Sequence, residues 1–366
     1  MKKILFLFHD TNMTGASINL CRIIEKLVLE GRYHIDIFLP SKKGPIHDLL
    51  LSYNVKIYIF DKHGSGNILN KLLTRVIYFS KYTLVLYKIK PTIVYSNTLM
   101  NIGEVIITCL MGIYTLVHAH EGKEIIQKYS LLIKLADYFT SEYIVVSEYA
   151  LKSLQNCTWR KTHKNLIYNG LKITEHTIPS FDTSTIINLS LIATIDRNKS
   201  QLTAIKALEY LLKSSSFKLK LNFFGKIADK IYYEEIMEYI TKNDLAQYVH
   251  FHGEVINKNE MYSQTSILLI TSLDETFSLT ALEASILSIP VIASNVGGLP
   301  EVIENKVTGI LFEVGNFVEL SQYITQLIVN ESFRNKILDT AYYRAAEKFN
   351  IDLTFEKILL IIDKIK

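Results

Sequence analysis

Cysteine is scarce: the 366 residues contain three, Cys21, Cys109 and Cys157. Their number is odd and their spacing matches no metal-ligand pattern, which argues against a disulfide framework or a cysteine-based zinc site and fits buried thiols in a reducing cytoplasm. Glycine is sparse too, at 15, and no Gly-x-Gly-x-x-Gly run occurs, so a dinucleotide-binding dehydrogenase is disfavoured. The longest uncharged apolar stretch, residues 105–117, has 13 positions, short of the roughly 20 that span a bilayer. The opening MKKILFLFHD has a five-residue apolar run before His9-Asp10, below the roughly 7–15 of a secretory leader, and reads as a first strand. No Asp-x-Asp pair offers a metal anchor for a diphosphate, and nothing resembles a nucleic-acid module. No metal, no resident cofactor and no nucleic-acid partner are expected.

What the chain does have is apolar patterning. At 49% hydrophobic over 366 residues it exceeds what one core usually serves, so two domains are expected. Apolar segments of about five residues (4–8, 35–38) alternate with amphipathic stretches of ten or more such as 18–30, the signature of βαβ units and parallel sheets. The pattern restarts at 187–192 after a polar linker, 171–185. An α/β fold of two doubly wound, Rossmann-like parallel-sheet domains follows, with ligands at the carboxyl ends of the strands.

Charge is unevenly shared. Residues 1–175 hold 22 Lys and Arg against 13 Asp and Glu, whereas 176–366 hold 18 against 23. A basic first half suggests an anionic partner. Within it, residues 71–90 (KLLTRVIYFSKYTLVLYKIK) interleave five basic residues with four aromatics on a helical pattern. That suits peripheral contact with an anionic membrane or a lipid-diphosphate acceptor; the plainer alternative is a surface helix with a buried aromatic stripe.

The stretch richest in chemistry is SLDETFSLTALEASILSIPVIASNVGGLPEVI, residues 272–304. A short strand at 267–270 leads into a turn, and a helix is expected from Phe277 or Ser278. Glu275 then lies on the loop and Glu283 about a turn and a half into the helix. Free backbone N–H groups around Phe277, Ser278, Leu279 and Thr280 form a ready phosphate site. Carboxylates flanking it are suited to sugar hydroxyls, and a nucleotide-sugar diphosphate has that layout; two solvated surface acids are the bland alternative. A second loop, 296–301, leaves another buried strand and opens another helix.

This combination resembles the family-4 retaining glycosyltransferases, whose signature reads E-G-F-G-hydrophobic-x-x-x-E followed by P-V-V-A and G-G-L-P-E. Here it runs from Glu275-Thr276-Phe277-Ser278-Leu279 to Glu283, with Thr276 and Ser278 in place of the usual glycines and Ser288 in place of the glycine before the next strand. Such replacements narrow the loop where positive φ is needed. The resemblance implies a GT-B fold with the two domains facing across a cleft: an acceptor-binding domain 1–175, a donor-binding domain 176–343, and a terminal helix 344–366 crossing back to the first.

By the same resemblance, Glu283 holds the nucleotide ribose, Glu275 touches the donor sugar and Lys199, at an expected helix start, grips the diphosphate. Thr194 stands where the family usually has arginine, and Arg197 is a substitute for it. In the first half, His120 matches the family histidine beside the reacting centre, with His118 in reserve. Gly15 matches a loop near the donor phosphates, and Asn97 is an acceptor-side candidate. The activity implied is metal-independent, retaining transfer of a sugar from a UDP- or GDP-linked donor to a glycan or an undecaprenyl-diphosphate-linked acceptor, in bacterial capsule or lipopolysaccharide assembly at the cytoplasmic membrane face. A sugar-nucleotide 2-epimerase, or a degenerate subunit binding glycan or a partner transferase, are the rival readings.

Overall fold

The structure is a computed structural model and describes residues 1–41, 44–62, 67–160, 162–255 and 257–365. The chain divides into two units: Met1–Gly170 with Asp352–Lys366, and Leu171–Ile351.

In the first unit the strands are β1 (Lys2–Leu7), β2 (Tyr33–Leu39), β3 (Lys56–Ile59), β4 (Ile93–Ser96), β5 (Tyr114–Ala119), β6 (Glu142–Val145) and β7 (His163–Leu166). They form a sheet of order β3-β2-β1-β4-β5-β6-β7, parallel throughout. Helices cover both faces, which is why β1 reads as an apolar run and not as an alternation. Ile4 and Phe6 pack with Leu20 and Ile24 of the helix Gly15–Glu30. Leu5 and Leu7 pack on the opposite face with Tyr78 and Tyr82 of the helix Ile68–Ile89.

The second unit repeats the plan with β8 (Ile187–Ile192), β9 (Leu219–Phe224), β10 (Val249–Gly253), β11 (Ile267–Ile270), β12 (Val291–Ser294) and β13 (Ile310–Phe312), ordered β10-β9-β8-β11-β12-β13. In both sheets the strand order reverses beside the first strand, between β1 and β4 and between β8 and β11. Loops leaving the carboxyl ends of such a pair diverge and open a crevice.

The single helix expected over 344–366 is two, Glu331–Lys348 and Ile351–Lys364. Phe349 O accepts the Leu171 N–H at 2.8 Å and Leu171 O accepts the Ile351 N–H at 2.9 Å, so the strand-like contact with the start of the second unit interrupts the helical ladder. Beyond it, Phe355, Ile358 and Ile362 enter the core of the first unit beside Ile4 and Leu20. The boundary at Gly170 lies five residues before the one expected at 175. Among the described residues, no helix is long and apolar enough to cross a membrane.

Candidate functional site

In the second unit the site is built on the two loops that leave β8 and β11. After β8 the chain makes a three-residue 3-10 turn, Arg197–Lys199, capped by Asp196, whose carboxylate accepts the Lys199 N–H at 3.1 Å. Thr194 donates its hydroxyl to the same carboxylate at 2.6 Å. Ser200 then adopts φ +47° and the helix Gln201–Ser214 begins. Lys199 therefore sits in a turn, not at the helix start expected for it, and the ordinary dipole penalty does not apply there.

Asn198 clasps the second loop. Its amide donates to Asp274 O at 3.0 Å and its side-chain oxygen accepts the Asp274 N–H at 3.0 Å. Its backbone carbonyl accepts the Leu273 N–H at 2.7 Å. Thr271 donates to Lys199 O at 2.7 Å. With the loops fixed this way, Lys199 Nζ meets Glu275 Oε2 at 2.7 Å, and Ser272 Oγ donates to the same oxygen at 3.1 Å. The side chains of Lys199 and Glu275 are 22% and 17% exposed. Burial disfavours the ammonium charge, but the Glu275 carboxylate, aided by Asp196 and Asp274, outweighs it and raises the Lys199 pKa.

The loop after β12 supports Glu275 from behind. Gly298 N–H donates to Glu275 O at 2.7 Å. Gly297 has φ +55°, and a Cβ there would stand 2.1 Å from Glu275 O, so only glycine permits this approach.

The helix Leu279–Ile286 starts later than expected, because Ser278 is its cap and accepts the Ala281 N–H at 3.2 Å. Phe277 precedes it. Leu279 and Thr280, in its first turn, have no intrahelical acceptor for their N–H groups. Thr276 and Ser278 do not take positive φ; of the three glycine replacements only Ser288 does, at +53°. The loop tolerates the first two because one caps a helix and neither needs the left-handed region. Glu283 is tied to the helix Lys258–Ser263: Tyr262 donates to its carboxylate at 2.6 Å and Lys258 forms an ion pair with it. Arg197 turns outward to Glu235 and Asp229, with its guanidinium over the Tyr232 ring.

The first unit holds a separate polar cluster at the carboxyl ends of β1, β4 and β5. The strand ends at Ala119, and the rings of His118 and His120 lie 4.2 Å apart. Tyr95 OH is 2.8 Å from His118 Nδ1. Burial, then the neighbouring His120, pushes His118 well below the usual histidine range; burial, then His9, pushes His120 to about 3. Both rings are therefore neutral near pH 7. Glu121 accepts from Thr98, the Leu99 N–H and the His120 N–H, and burial raises its pKa against those bonds. Asn97 is fully buried with both side-chain polar atoms unpartnered, and the Nε2 atoms of His118 and His120 and Nδ1 of His9 are unpartnered as well. Buried polar atoms without partners are costly, which marks this cluster as a place for a polar ligand. Gly15 is the first residue of its helix, behind the cap Thr14.

Sequence reasoning missed Asn198, Gly297, Lys258, Tyr262 and His9. Only Gly297 carried a local signal, as the first glycine of the Gly-Gly-Leu-Pro loop. No group of three or more His, Cys, Asp or Glu among the described residues is placed to hold a metal ion.

Comparison with known proteins bears on the fold and the family. Residues 184–344 match the family described as glycosyl transferases group 1. That match covers most of the second unit, and the fold of the two units is that of GT-B glycosyltransferases. N-acetyl-alpha-D-glucosaminyl L-malate synthase of Bacillus anthracis is 31% identical over 114 residues, 31% of this chain and 30% of that one. The capsular polysaccharide biosynthesis glycosyltransferase CapM of Staphylococcus aureus is 25% identical over 149 residues, 40% of this chain and 38% of its own. The chain thus spans about a third of the length of these curated relatives. Among solved structures, Anabaena HepE in complex with UDP and glucose superposes with a TM-score of 0.85 at 20% identity over 100% of both chains.

Proposed function

We propose that the protein transfers a sugar from a nucleotide-sugar donor to a hydroxyl of a glycan or lipid-linked glycan, with retention of anomeric configuration and without a metal. The observation that carries this reading is the Lys199–Glu275 pair, locked by Asn198 beside the uncapped amides of Leu279 and Thr280. A cation and free N–H groups at one place suit a diphosphate, and they suit it best as its sugar leaves and negative charge gathers on the terminal phosphate. Lys199 then exchanges Glu275 for the phosphate, and Glu275 is released to the sugar hydroxyls. Glu283, held by Lys258 and Tyr262, is assigned to the ribose.

In the first unit, His120 and Asn97 are assigned to sugar hydroxyls, as a neutral imidazole and an amide with unmet hydrogen-bonding capacity can be. UDP is the donor nucleotide we favour, because the Anabaena protein of the same fold is seen with UDP and glucose. The relation to a capsule-synthesis enzyme supports a role in surface polysaccharide assembly at the cytoplasmic membrane face, with an undecaprenyl-diphosphate-linked acceptor.

The test is nucleotide release from a panel of UDP- and GDP-sugars, with and without lipid-linked acceptor. Acceptor-dependent release of free UDP is expected. Conversion of the donor to its 2-epimer with the diphosphate intact would replace the transferase reading by an epimerase, and silence across the panel in a folded protein that binds glycan would leave a non-catalytic subunit.

A further inference from the structure

We propose that one face of the first unit lies flat on an anionic lipid surface, held by two apolar ridges. This deepens the contact suggested above for residues 71–90 and gives it an orientation, a second element and a chemistry.

The first ridge is the helix Ile68–Ile89. Its inner side is defined by Tyr78, Tyr82, Val85, Leu86 and Ile89, which are buried against the sheet. Two of the four aromatics that the sequence offered to a membrane are therefore core residues. The outer side is aliphatic but for one tyrosine: Leu69, Leu73, Val76, Leu84 and Tyr87 are 74%, 59%, 55%, 67% and 70% exposed. At about 100° per residue these five fall within a quarter to a third of the circumference, roughly opposite the buried set. The stripe runs most of a helix about 33 Å long. Over 68–77 the polar residues Asn70, Lys71, Thr74 and Arg75 fall on the other side, so this segment is a finished amphipathic helix whose apolar half is left exposed among the described residues.

The second ridge is on the helix Ser130–Phe139, where Leu131, Leu132, Leu135 and Tyr138 are exposed while Ile133 and Ala136 face the core. Trp159 is exposed beside it, edge-on to Tyr138 and under the Lys134 ammonium. Both helices flank the helix Ile102–Leu110 and share one sheet face with it, the face of Leu5, Val94 and Val117. Uncovered apolar area of this extent marks an interaction surface.

Charge selects the occupant. Ile68–Ile89 carries Lys71, Arg75, Lys81 and Lys88 and no acid, and the one acid of Ser130–Phe139, Asp137, is buried and engaged by Arg160 and Thr162. Lys81 and Lys88 border the exposed stripe and Lys134 stands over Trp159, so a second copy of the chain would bring like charges together across a two-fold contact. An anionic headgroup layer supplies the opposite sign and covers both ridges at once, with Tyr87, Tyr138 and Trp159 at interfacial depth.

The test is flotation of the full chain with vesicles of phosphatidylglycerol and phosphatidylcholine against phosphatidylcholine alone. Anion-dependent binding, weakened by salt, is expected for the wild type. Leu73→Asp with Val76→Asp, and separately Leu131→Asp with Leu135→Asp, should each weaken it on the order of tenfold or more, whereas Leu360→Asp, an exposed leucine on the helix covering the opposite sheet face, should not. If one ridge variant misfolds, the other decides. No binding by the wild type, binding by both ridge variants equal to that of the wild type, or loss of a dimer in those variants without loss of vesicle binding would overturn the proposal. The readout is lipid partition, so it fails or succeeds independently of sugar transfer to a soluble acceptor.

Discussion

Removing the Lys199–Glu275 pair by halves and then together measures how the site is held. At 2.7 Å, Coulomb's law with an effective dielectric of about 20 gives a gross attraction of about 6 kcal/mol. Both side chains are largely withdrawn from water, so desolvation cancels most of that, and a coupling energy of about 1–3 kcal/mol should remain. The cycle comprises wild type, Lys199→Met, Glu275→Gln and the double variant, compared by denaturant unfolding of the second unit's transition. Each single variant should lose more stability than the double variant's excess over the other. Calorimetric titration with UDP adds the functional half. Freed of its carboxylate partner, Lys199 in Glu275→Gln should bind UDP as well as the wild type or more tightly, by up to about tenfold, while sugar transfer falls. Lys199→Met should weaken UDP binding and lower turnover still further, because the developing charge belongs to the transition state. A coupling energy under about 0.5 kcal/mol, typical of an exposed pair, or UDP affinity unchanged in Lys199→Met, would refute the assignment.

Glu283→Ala should weaken nucleotide binding by about 1.5–3 kcal/mol, the worth of a hydrogen bond to a charged group, as read by calorimetry on a protein whose fold is checked by circular dichroism. Ser288 combines φ +53° with a hydroxyl 3.2 Å from His176 Nδ1; Ser288→Gly should therefore melt higher than Ser288→Ala, by about 1 kcal/mol in stability, since both lose the hydroxyl and only glycine relieves the backbone. The buried histidines predict an acid limb. The folded-state pKa of His120 is about 3 and that of His118 is also well below normal, against about 6.5 unfolded. Between those values the unfolded chain binds more protons, so stability should fall as pH drops below about 6.5, by up to about 1.4 kcal/mol per pH unit for each ring. Glu121, whose carboxyl burial raises, pulls the other way in the carboxylate range. Melting curves of the first unit from pH 7 to 5 should flatten in His118→Asn with His120→Asn.

The fold was legible because parallel strands covered on both faces must be apolar on both sides. Ile4 to Leu7 are buried without a break, and no other short element leaves that mark. The loop position of Glu275 was legible from the strand that precedes it, whereas Lys199, expected at a helix start, lies in the turn before one. Their pairing was not, since 76 residues separate them and the link runs through Asn198, whose type is unremarkable in a turn. Lys258 and Tyr262 lie on a six-residue polar helix, KNEMYS, too short to show a period. The narrowing expected at Thr276 and Ser278 came from family glycines standing where this backbone does not need them; Ser278 instead caps the helix. In residues 71–90 composition was informative and phase was not, so Tyr78 and Tyr82 fell on the core side and a mainly aliphatic stripe ending in Tyr87 fell outside.

Phe355, Ile358 and Ile362, from the last stretch of the chain, complete the core that begins with Ile4. During synthesis the first unit must therefore wait, its hydrophobic wall incomplete, until residues 352–365 have left the ribosome, while the second unit already has its own segments. Removing residues 352–366 should accordingly harm the domain farthest from them in sequence, and would expose Leu20 and Ile24 to solvent.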